Sequence, residues 1–219
     1  MSKKLIWDLP LRIFHWLLAV FIAGAWYTVE ISGDMDTHML IGQSILALLV
    51  FRILWGFVGP SYARFGSFVY RPAEIANYAR TLFSRRAGEY AGHNPTGSLA
   101  VFAMLALVAV QVTTGLFATD ADEFARGPLN GLVSSSTAYA ITDVHYANIN
   151  FLLALIGLHI VAIIFYLLFK RENLITPMVT GEKADPGDSL KAIGGSKLGL
   201  AVGVLIAAAV VVLLLRSLG

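Results

Sequence analysis

Residues 143–170 read Asp-Val-His-Tyr-Ala-Asn-Ile-Asn-Phe-Leu-Leu-Ala-Leu-Ile-Gly-Leu-His-Ile-Val-Ala-Ile-Ile-Phe-Tyr-Leu-Leu-Phe-Lys. No charged side chain lies between Asp143 and Lys170, so the stretch is long enough to cross a bilayer as a helix. It carries His145 and His159, fourteen residues apart. At 100° per residue this falls about 40° short of four turns, so both imidazoles leave one face, about 21 Å apart along the axis. Ionisable side chains inside a membrane are costly, and they mark function by default.

The rest of the composition agrees with a membrane setting. The chain has 219 residues, 57% of them hydrophobic, and a mean hydropathy of +0.72. Both are far above the values of a soluble domain. There is no cysteine. That rules out Cys-held iron–sulfur clusters, Cys-type zinc and covalently attached c-type haem. A net charge of +2 gives no footprint for nucleic acid.

Four more apolar runs surround the central one. The first covers about 11–29 and follows Lys3 and Lys4. It contains Arg12 and His15 and lacks a small-x-small cleavage site, so it reads as a span rather than a signal peptide. A short acidic turn, 30–37, leads to a second span over 38–58, with Asp36 or Thr37 as its N-cap. A long basic loop, 59–97, contains Arg64, Arg71, Arg80, Arg85 and Arg86, and a short interfacial helix is expected over 72–83. Asn94 as N-cap and Pro95 as first residue start a third span, 96–118. An acidic loop, 119–142, with room for a short helix, precedes the fourth span, 143–169. A polar linker, 170–196, leads to a fifth span, 198–215, which reads as an anchor or packing helix. Gly199, Gly203 and Ala207 give that helix a small-x-x-x-small face suited to close helix contact or a homodimer.

Charge sets the expected orientation. With the amino terminus cytoplasmic, only Arg126 and Arg216 of the sixteen Lys and Arg residues fall outside. The C-terminus is then periplasmic, the outer face net negative and the inner face net positive. Depth then pairs the histidines. His38 and His145 open their spans at the outer surface, whereas His15 and His159 lie in the inner half. Each pair is placed to clamp one planar iron porphyrin, each imidazole donating its second N–H to a carbonyl or water. Gly42, Gly115 and Gly157 supply side-chain-free helix surface beside them. Arg12 and Arg52, at the inner boundary, are candidates for the haem propionates. His93, in a polar loop beside a cap, reads as a surface or capping residue.

The segments Trp7-Asp8-Leu9-Pro10-Leu11-Arg12-Ile13-Phe14-His15-Trp16, His38-Met39-Leu40-Ile41-Gly42, Phe51-Arg52-Ile53-Leu54-Trp55-Gly56, Gly92-His93-Asn94-Pro95 and Leu158-His159 resemble the bacterial cytochrome b561 family. That family includes the b-type cytochrome subunits of nickel–iron hydrogenases. The resemblance covers about residues 5–180. It implies an all-α membrane protein, with a four-helix bundle over 1–180 holding two b haems in the bacterial inner membrane. It implies His15, His38, His145 and His159 as ligands, and electron exchange between membrane quinone or quinol and a partner. Residues 181–219, a linker and fifth transmembrane helix, go beyond that pattern.

The leading expectation is therefore an electron carrier set among membrane lipids, passing electrons from quinol to a periplasmic redox protein. The acidic outer face would steer a basic cytochrome c. One alternative is a superoxide:quinone oxidoreductase, disfavoured because an acidic face repels an anion. Another is the membrane anchor of a hydrogenase or dehydrogenase, docked through loop 119–142. A haem-free ion or proton transporter is weakest, because the spans have almost no carboxylates for a relay.

Overall fold

The computed structural model describes residues 2–84, 90–120, 125–185, 190–195 and 197–218. A short strand β1 (Ser2–Leu5) leads to α1 (Leu9–Tyr27), α2 (Met35–Val58), α3 (Pro72–Arg80), α4 (Pro95–Gly115), α5 (Ser135–Phe165), α6 (Ile175–Thr180), a strand β2 (Glu182–Asp185) and α7 (Leu198–Arg216). Five helices are long and apolar enough to cross a membrane: α1, α2, α4, α5 and α7. The chain is a multi-pass helical membrane protein.

The hub is α2. It packs against α1, α4 and α7, and α4 in turn packs along α5. Of its most apolar window 44% is buried, against 17% or less for the other spans. The other four therefore turn most of their apolar surface outward, as lipid-facing helices do.

Several boundaries differ from the sequence expectation. The α2 helix starts three residues early, and its N-cap is Asp34, not Asp36 or Thr37. The Asp34 carboxylate accepts from the Thr37 amide at 3.0 Å and the Thr37 hydroxyl at 2.6 Å. The α5 helix starts at Ser135, capped by Ser134, whose hydroxyl accepts from the Thr137 amide at 3.3 Å. The last third of the expected acidic loop is thus helix, and His145 sits nearly three turns inside α5. Arg85, Arg86, Asp122 and Glu123 lie outside the described residues. Asn94 and Pro95 start α4 as expected, the Asn94 side chain accepting from the Gly97 amide at 2.7 Å.

The expected all-α fold omits one feature. Strand β1 pairs antiparallel with β2, Ser2 opposite Asp185 and Leu5 opposite Glu182. The carbonyl of Gly181 accepts from the amides of both Ile6 and Trp7, at 2.8 and 3.1 Å. The expected linker is therefore tied down where it is described. Lys183 bridges the Glu172 carboxylate at 2.8 Å and the Tyr90 carbonyl at 2.7 Å. The loop carrying α3 folds over the same end. There the Tyr78 and Tyr166 hydroxyls bond at 2.8 Å, and the Asn94 amide donates to Tyr166 at 3.0 Å.

The α7 helix meets the hub through Ala201, Ala208 and Val212, which are buried. Gly199 and Gly203 lie in open space instead, so the small-residue face is not the one that packs within the chain. On α2, Gly56 admits the ring of Phe65; a Cβ there would lie 2.1 Å from that ring. Gly56→Ala is expected to cost about 1–3 kcal/mol by overpacking. A lowered midpoint of thermal unfolding in detergent checks this.

Candidate functional site

The bundle brings four histidines together in two facing pairs. At the end away from the strands, His38 of α2 faces His145 of α5, with ring centroids 6.3 Å apart and planes at 83°. Each ring is oriented through Nδ1. In His38 it lies 2.9 Å from the Ala25 carbonyl, which can only accept, so Nδ1 carries the proton. In His145 it lies 3.0 Å from the Thr114 hydroxyl. That hydroxyl donates to the Val110 carbonyl at 2.7 Å, so it accepts from His145. Both imidazoles are thereby left with Nε2 free as a ligand.

Space is provided beside them. A Cβ on Gly115 would come within 3.1 Å of His145 Cε1, whereas Gly42 faces open space. A cavity of about 160 Å³ is lined by His38, Gly42, Gly115 and His145, among apolar Ile45, Val108 and Leu152. Glu30, Asp120 and Arg126 also line it, so its charge is mixed. The loop over 125–130 covers this end by folding back on the last turn of α4. The amides of Gly127 and Leu129 donate to the carbonyls of Ala118 and Leu116, at 2.9 and 2.8 Å. The Asn130 side chain donates to the Phe117 carbonyl at 2.8 Å.

At the strand end, His15 of α1 faces His159 of α5, with centroids 6.5 Å apart and planes at 56°. With metal–imidazole bonds of about 2.0–2.1 Å and rings of about 1.1 Å radius, two imidazoles across one ion have centroids roughly 6.3 Å apart. Both pairs match that span. Among the described residues, no group of three or more His, Cys, Asp or Glu side chains is placed to hold a bare metal ion. A facing pair suits an ion that brings its remaining ligands with it, as porphyrin iron does.

A buried polar cluster adjoins the second pair. Asp8 is 1% exposed and accepts from the Trp55 indole at 3.1 Å. Burial raises its pKa, against the Trp55 bond and the charges of Arg12 and Arg52. Arg52 is 2% exposed, with its guanidinium 4.6 Å above the Phe65 ring. Arg12 donates to the Val179 carbonyl. Five buried polar atoms here have no hydrogen-bond partner: Asp8 Oδ1, Arg12 Nε, His15 Nδ1, Arg52 Nη1 and His93 Nδ1. Buried polar atoms are satisfied in most proteins, so this cluster has unused hydrogen-bonding capacity that calls for a partner.

His93 corrects the sequence expectation. It is not a surface cap. Its ring lies between Trp7 and Phe68, at centroid distances of 4.8 and 4.6 Å. Burial, with the charges of Arg52, His159 and His15 adding to it, pushes its pKa down to about 3. The polar residues around His93 suggested a surface, whereas the α3 loop and the N-terminal segment close over it. Thr114 was also missed. An isolated threonine in an apolar span carries no sequence signal that its hydroxyl will hold a histidine ring.

The five apolar spans and the two facing histidine pairs make up a helical membrane bundle, and without cysteine any haem in it would be of the non-covalently held b type. The chain belongs to the prokaryotic cytochrome b561 family, whose model matches residues 6–181. Among its relatives is the probable Ni/Fe-hydrogenase B-type cytochrome subunit of Rhizobium leguminosarum bv. viciae, 24% identical, covering 81% of this chain and 87% of the relative. The proteins of the same description from Azotobacter vinelandii and Bradyrhizobium diazoefficiens are each 26% identical. They cover 80% and 81% of this chain, and 86% and 85% of their own lengths. No solved structure matches. The activity that follows from family and fold is membrane electron transfer through b haem.

Proposed function

We propose that this chain carries electrons across the bacterial inner membrane, between quinone or quinol and a periplasmic redox protein such as a c-type cytochrome. One b haem is held by His15 and His159 and a second by His38 and His145. Haem b supplies a one-electron couple when bound. The observation that carries the reading is the double facing of histidines, at 6.5 and 6.3 Å, with α5 contributing to both pairs at about 21 Å spacing.

The chain's own residues do the rest. Ala25 and Thr114 fix the rings of His38 and His145 and raise their basicity as ligands. Arg12 and Arg52 offer cationic partners to the propionates of the other haem. Gly42 leaves room beside His38 for a flat ring. The amino terminus is assigned to the cytoplasm and Arg216 to the periplasm, from the distribution of Lys and Arg.

Purified protein tests the reading by pyridine haemochrome spectrum against protein mass, followed by reduction with quinol. Two b haems, both reducible, are expected; a folded chain without haem overturns it. Electron transfer to a basic cytochrome c is expected to slow steeply as salt rises, because the periplasmic side is net negative. A slow rate independent of ionic strength would rule out that partner class. Thr114→Val removes the acceptor for His145 Nδ1. It is expected to weaken haem retention at that pair by about 10–100-fold, read by competition with apomyoglobin.

A second reading has one specific support, the names of the relatives. In it the chain is the membrane subunit of a hydrogenase or dehydrogenase. Co-purification of a large periplasmic subunit from native membranes decides between the two.

A further inference from the structure

The polar cluster at the strand end holds more donors than acceptors. Arg12 Nε, Arg52 Nη1 and His93 Nδ1 are buried without partners. The carboxylate beside them, Asp8, accepts from Trp55 through Oδ2 and has only Oδ1 open, one acceptor against three donors. His93 is held firmly enough to matter. Tyr70 donates to its carbonyl at 2.8 Å, Pro95 starts α4 two residues later, and Trp7 and Phe68 enclose its ring. Its Nδ1 is shut off from solvent, and Arg52, His159 and His15 are near enough to lower its pKa. A cluster of buried, unsatisfied donors has one natural complement, an anion that accepts hydrogen bonds.

We propose that His93 is a positioning residue that donates from Nδ1 to a propionate of the haem held by His15 and His159, alongside Arg12 and Arg52. The inference rests on the reading that this pair binds haem. A porphyrin's propionates are carboxylates carried at one edge of the ring, which is the chemistry the three donors lack. A neutral imidazole suits the role. It adds a hydrogen bond without a third positive charge beside two guanidiniums. Removing it leaves the propionate charge less compensated, which favours the oxidised iron.

Two variants of the full chain separate donation from packing. His93→Gln keeps an N–H donor; His93→Phe keeps a ring between Trp7 and Phe68 but donates nothing. Haem stoichiometry and a spectroelectrochemical titration are the readouts. In His93→Phe one haem is expected to show a reduced-to-oxidised ratio lower by about tenfold at fixed potential, or to be lost, with the other haem unchanged. His93→Gln is expected to follow the parent. The proposal is overturned if His93→Phe retains both haems with unchanged titration curves, or if both variants lose haem equally. If His15→Ala leaves the haem content of the parent unchanged, the haem reading of this pair fails, and this proposal with it.

Discussion

Replacing His145 by alanine is expected to halve the haem content, from two per chain to one. Two imidazoles hold each iron in the proposed arrangement, and at this pair both are fixed before any ligand arrives, His38 by Ala25 and His145 by Thr114. Losing one would leave a single imidazole to hold the group, beside a cavity of about 160 Å³ that it cannot close alone. Affinity is therefore lost at that pair and kept at the other. The sharper test is the pattern among variants. His38→Ala should match His145→Ala, and the double variant should lose nothing more, because groups that act as a unit are not additive. His15→Ala and His159→Ala should remove the second haem instead. Pyridine haemochrome spectra against protein mass give the count. If His145→Ala and His38→Ala together remove both haems while each alone removes one, the pairing is wrong.

The second large effect belongs to a residue with no functional group. Gly127→Ala is expected to destabilise the protein by about 3 kcal/mol or more. A Cβ at Gly127 would lie 2.3 Å from the Gly115 carbonyl oxygen and 2.5 Å from that of Leu116. Both are backbone atoms of the last turn of α4, so neither can swing aside as a side chain can. Relief requires the loop over 125–130 to lift, which endangers the bonds from Gly127, Leu129 and Asn130 to the carbonyls of residues 116–118, just past the end of that helix. Haem bound at His38 and His145 should be released at lower temperature than haem at the other pair. Gly131→Ala is the control. Nothing lies within 4 Å of its added Cβ, and a change within about 0.5 kcal/mol is expected. Equal behaviour of the two variants in thermal unfolding would contradict the packing argument.

What the sequence made legible followed from length and charge. Long apolar runs announced the five spans, because a bilayer demands about 20 predominantly apolar residues whatever packs around them. The histidine pairing was also legible, since depth along a span is a nearly one-dimensional quantity. The start of α5 was not. Asp143 looked like a border, but a charged residue ends the bilayer and not the helix, and Ser134 supplies a cap further back. The cap of α2 was missed for a related reason. Asp34, Asp36 and Thr37 are all competent, and the choice falls to the wide turn over Thr28–Ser32 and to Gly33 at φ 67°. His93 was misread because polarity in a loop usually means solvent, and the burial comes from distant segments. The pairing of β1 with β2 had no local pattern to reveal it.

That pairing also orders events during synthesis. Ser2 leaves the ribosome first, yet its partner, Asp185, follows only after α1, α2, α4 and α5 have been made. The same holds for the bonds from Ile6 and Trp7 to Gly181. Closing so long a loop is entropically costly and gains nothing until the intervening helices have brought the two ends together. The strand clasp therefore forms late. Until it does, the amides of Ile6 and Trp7 lack the Gly181 carbonyl that ties them down. A chain arrested short of residue 182 therefore has its four histidines but not the latch between its first and last described strands.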